Sequence, residues 1–117
     1  MTQPNASDQL IVVLVTAPTD DAARAIARRL VDAQLAACVN IVPSVESIYR
    51  WEGRRCENQE RLLIIKSRAP LFDRLAAEVT SLHSYTVPEV IALPIVAGSA
   101  DYLRWLLEST TVPGTAV

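Results

Sequence analysis

Residues Cys38 to Trp51 read CVNIVPSVESIYRW, and after a polar stretch residues Glu60 to Ser67 read ERLLIIKS. Both are rich in β-branched and aromatic residues, and both predict extended chain. In the first, Val45, Tyr49 and Trp51 alternate with Glu46 and Arg50, and Pro43 interrupts the run. The polar segment Glu52 to Asn58 predicts the hairpin turn that joins them. In the second, Glu60, Leu62, Ile64 and Lys66 share one face, and Arg61, Leu63, Ile65 and Ser67 share the other. Apolar side chains on both faces need cover on both, which a helix layer on one side cannot give. The first strand would span about 45 Å if unbroken. A compact domain of this size has a radius of gyration near 13 Å, at about that value by chain-length scaling. The hairpin therefore projects beyond its own core and carries Ile48, Tyr49 and Trp51 with it. Large exposed apolar surface marks an interface, so a homo-oligomer is expected.

Working outward, Leu10 to Val15 is an unbroken apolar run and reads as a central strand covered on both faces. Ala17-Pro18 ends it, and Thr19 or Asp20 caps a helix. In that helix Ala22, Ile26, Leu30 and Ala33 form the inward stripe. Pro70 suits the first turn of a second helix, with Leu71, Leu75, Val79 and Leu82 as its stripe. Pro88 to Val96 reads as the fourth strand. Gly98-Ser99 opens a short last helix with Tyr102, Leu103, Trp105 and Leu106 as apolar surface. The order is β-α-β, β-α-β and a closing helix, an α+β, ferredoxin-like split βαβ sandwich. Its antiparallel sheet carries both main helices on one face. The folded domain is expected over 9–110, with loose tails at 1–8 and 111–117.

The bulk properties exclude several classes. The chain has 117 residues, enough for one domain with a real core. A net charge of −2 lacks the basic excess of a dedicated nucleic-acid binder. No apolar run approaches the roughly 20 residues of a membrane span. No basic region followed by an apolar stretch opens the chain, so no secretory leader is expected. Cys38 and Cys56 form neither a metal knuckle nor a redox pair, and a disulfide-free cytoplasmic protein is the expectation.

The polar groups of interest gather just before the fourth strand: His83, Ser84, Tyr85, Thr86, Pro88 and Glu89. Polar groups at a strand mouth sit on a rigid support. His83, the sole histidine, reads either as a metal ligand or as a group facing a helix C-terminus. Cys38 opens a strand and reads first as a small buried residue. Lys66 ends an apolar run, as a rim residue or a snorkelling one. Glu89 can cap backbone or ligate a cation. Trp51 and Trp105 read as core or interface packing. Nucleophile elbows, phosphate loops and paired catalytic acids are missing, so no enzyme is expected.

Five ordered motifs resemble one family. Thr16-Ala17-Pro18, Leu35 to Asn40, Ser47 to Gly53, His83 to Glu89 and Asp101 to Leu106 are similar to the CutA divalent-cation-tolerance proteins. The resemblance implies a ferredoxin-like subunit in a tight homotrimer, similar in outline to the PII signalling proteins, with polar residues in clefts between subunits. It also implies a role in copper and other divalent-metal tolerance, with no settled reaction. On this basis His83, Cys38 and Glu89 are the candidate ligands of copper or another divalent cation, the one cofactor considered. Trp51, Glu60, Lys66, Tyr85 and Pro88 are the candidate lining of the intersubunit cleft. Val15, Leu82 and Ser84 depart from the pattern, and the first two remove a thiolate and an imidazole that copper favours. The alternative is a PII-like regulatory or scaffold trimer, binding a small anionic ligand or a protein partner in that cleft.

Overall fold

The computed structural model of the protein describes residues 9–111. The elements are β1 (Leu10–Ala17), α1 (Asp20–Asp32), β2 (Cys38–Trp51), β3 (Arg54–Arg68), α2 (Phe72–Leu82), β4 (Val90–Pro94) and α3 (Ala100–Glu108). They form one antiparallel sheet in the order β2-β3-β1-β4. This is the α+β, split βαβ architecture that the element order predicts. The tails lie outside the described residues, except for Thr111. Its backbone N–H donates to the Gln34 carbonyl at 3.1 Å, which ties the chain past α3 back to the end of α1.

Local chemistry sets each boundary. The Thr19 hydroxyl accepts from the Ala22 N–H at 3.1 Å and caps α1, with Asp20 and Asp21 in the positive first turn. The buried stripe of α1 is Ala23, Ile26, Ala27 and Leu30. Ala22 and Ala33, expected in it, flank the core and are only partly buried. A short 3-10 turn, Ala69–Leu71, precedes α2 and contains Pro70. Leu71, Leu75 and Val79 are buried as expected, whereas Leu82, the last residue of the helix, is 44% exposed. In α3 only Leu106 is buried; Tyr102 and Trp105 leave much of their surface bare.

The hairpin turn is far tighter than the polar composition suggested. It consists of Glu52 and Gly53, with φ of 51° and 76°. Positive φ at both central residues is the primed turn whose twist matches paired strands. β3 therefore starts at Arg54 and runs 15 residues, with Trp51 opposite Arg54 and Tyr49 opposite Cys56. Cys56 is a half-buried strand residue, not an exposed turn residue. The register shifts between Val42 and Val45, where Pro43 lacks a donor for the ladder. The projecting arm stretches the molecule to 46 Å and raises the radius of gyration to 15.2 Å. β4 is shorter than predicted, five residues from Val90 to Pro94, with one further bond beyond it from the Ile95 N–H to the Leu10 carbonyl at 2.9 Å.

The core lies between the sheet and the two long helices. Ile11, Val13, Val15 and Ala17 of β1 face it with Leu63 and Ile65 of β3. The Ser67 hydroxyl, fully buried, donates to the Leu35 carbonyl at 2.6 Å. The opposite sheet face is a different matter. β1 was expected to be covered on both sides, but Val12, Leu14 and Thr16 are only half-buried. Leu62 and Ile64 of β3 are likewise half-buried, and Ile91 and Leu93 of β4 are 51% and 50% exposed. One chain leaves this apolar face open.

Candidate functional site

A cleft of about 780 Å³ opens where the base of the arm, the end of β1 and the loop before β4 meet. Glu46, Ser47, Ile48, Tyr49 and Trp51 come from the arm, Thr16 from β1 and Glu60 from β3. Ser84 to Val87 and Glu89 come from the loop. The register explains the gathering. Glu60 pairs with Val45 immediately after the bulge, so its side chain stands on the same face as Ser47, Tyr49 and Trp51.

Glu60 is only 5% exposed. The Tyr85 hydroxyl donates to its Oε2 at 2.9 Å. The loop that delivers Tyr85 is held by His83. The backbone N–H of Tyr85 donates to His83 Nδ1 at 3.1 Å, and His83 Nε2 lies 2.7 Å from the Thr16 carbonyl oxygen. A carbonyl only accepts, so Nε2 carries the proton and donates, while the Nδ1 lone pair is used. The two rings sit against each other, with centroids 4.7 Å apart. His83 is thus the clasp between β1 and the loop, and both of its nitrogens are committed.

Desolvation pushes the Tyr85 phenol up to about 12, and the hydrogen bond and charge of Glu60 push the same way. Because this value lies above the unfolded one near 10, the associated stability is complete below pH 10 and is lost as pH rises through 12. Tyr85→Phe has no phenol to ionise. The stability gap between wild type and Tyr85→Phe should therefore close between pH 10 and 12 in urea unfolding; parallel curves there would contradict the assignment.

Of the residues expected at the cleft, Trp51, Glu60 and Tyr85 line it, and Glu89, expected as a ligand, joins them. Pro88 sits in the loop between the lining residues Val87 and Glu89. Lys66 lies outside it, six positions along β3, which is about 20 Å of extended chain. There it pairs with Cys38 across the ladder and donates to the Asn40 side chain. Cys38 is therefore at the other end of the sheet from His83, and Glu89 lines the cleft without either. Among the described residues, no group of three or more His, Cys, Asp or Glu side chains could hold a metal ion. Sequence reasoning did not place Thr16, Ser47, Tyr49 or Val87 here. The two-residue spacing of Ser47, Tyr49 and Trp51 was the available signal for two of them.

The chain matches known proteins over nearly its whole described length. Residues 11–109 match the family model described as CutA1 divalent ion tolerance protein. The chain is 54% identical over 99 residues to the divalent-cation tolerance protein CutA of Thermus thermophilus, covering 85% of this chain and 96% of that one. It is 53% identical over 100 residues to the chloroplastic CutA protein of Arabidopsis thaliana, covering 86% of this chain but 55% of the plant protein. The crystal structure of CutA1 from Oryza sativa superposes with a TM-score of 0.87 at 48% identity, over 92% of this chain and 98% of that one. Sequence, fold and motif order agree, and the chain belongs to the CutA1 divalent ion tolerance family.

Proposed function

We propose that the protein serves divalent-cation tolerance, copper included, as a non-enzymatic cytoplasmic homotrimer. The observation that carries the assembly is the open apolar sheet face, continuous with the projecting arm, which a further copy of the chain would cover. The non-enzymatic reading is supported by His83. A general base needs a free lone pair within reach of substrate, and both nitrogens of this one are engaged by backbone. No helix among the described residues is long and apolar enough to cross a membrane. The test is complementation. In a cell lacking its own relative, the wild-type chain should restore growth on copper, and a variant that cannot assemble should not. Equal rescue by both would remove assembly from the function.

Direct copper binding by His83, Cys38 and Glu89 does not fit a single site in one chain. Cys38 is at the far end of the sheet and the imidazole has no free nitrogen. Weak copper binding by the remaining donors, Cys38 and Glu89, needs more than one subunit. His83→Ala should leave copper and zinc titrations unchanged by calorimetry. It should still lower unfolding stability by about 2 kcal/mol, from two lost hydrogen bonds at about 1 kcal/mol each. Loss of copper binding with unchanged stability would reverse this reading. The second reading, a PII-like regulatory trimer, is favoured by one observation: the cleft encloses a buried carboxylate and aromatic side chains in a volume suited to a small ligand.

A further inference from the structure

We draw no further inference here: the strongest candidate, the side-chain cluster of Cys38, Asn40 and Lys66 at one end of the open sheet face, belongs to the face that the proposed assembly covers, and nothing in the structure shows what a further copy puts against it.

Discussion

Ile64→Asp should abolish assembly while leaving each chain folded. Ile64 stands on the sheet face turned away from the helices, in register with Asn40 on one side and Leu14 on the other. Leu14 is in turn opposite Ile91. In one chain this row is only half-buried or exposed. An aspartate there keeps contact with water and costs an isolated subunit little. Against a neighbouring copy the same carboxylate is buried without a partner, at a cost of several kcal/mol. A loss of about 4 kcal/mol per interface weakens association roughly a thousandfold. Light scattering after gel filtration should give the mass of a single chain, with the circular dichroism of the folded protein. An unfolded variant would show that Ile64 belongs to the core of the subunit. An intact oligomer would show that this face is not the interface.

Leu63→Ala, one residue earlier, should do the reverse. Leu63 is fully buried in the cluster formed by β1, β3 and the two long helices. Truncating a fully buried leucine removes apolar area and leaves a cavity, costing about 3 kcal/mol. That is a large share of the roughly 5–15 kcal/mol that holds most domains. Thermal unfolding should start well below that of wild type, and at temperatures where the variant is folded it should still associate. Because association stabilises the native state by mass action, both melting points should rise with protein concentration. A Leu63→Ala variant that melts with wild type would place the core on the wrong side of the sheet. Adjacent residues on one strand thus separate folding from assembly, since successive side chains point to opposite faces.

That alternation also explains what the sequence disclosed. Leu10 to Val15 reads as doubly buried because it is apolar at every position, but in the structure burial alternates along the strand. What one chain cannot supply is the second cover, so Val12 and Leu14 stay half-bare. The long hairpin was legible from its length and its three exposed apolar residues. Its turn was not, because Arg54 to Asn58 are polar for a different reason. They sit in an arm with no core beneath it, where neither face requires apolar side chains. The true turn signal was the Glu52-Gly53 pair alone, at the two positive φ values.

The site was legible wherever residues lie near each other along the chain or share a strand face. Tyr85 and Glu89 fall in one loop, and Trp51 marks the parity of the arm. Glu60 could be picked out as an acid opening an apolar strand. The clasp formed by His83 could not, because its acceptor, the Thr16 carbonyl, is 67 residues away in sequence. Nothing local distinguishes an imidazole bound to backbone from one free to hold a metal. Lys66 shows the opposite failure. It shares a face with Glu60, but six residues of extended chain separate them, and its neighbours are Asn40 and Cys38.

The proposed assembly, and with it the Ile64→Asp prediction, rests on the open sheet face being covered by further copies of the same chain. Native mass spectrometry or sedimentation equilibrium of the wild-type protein at micromolar concentration tests that most directly. The predicted result is a species with the mass of three 12.8 kDa chains. A single species at 12.8 kDa would contradict it.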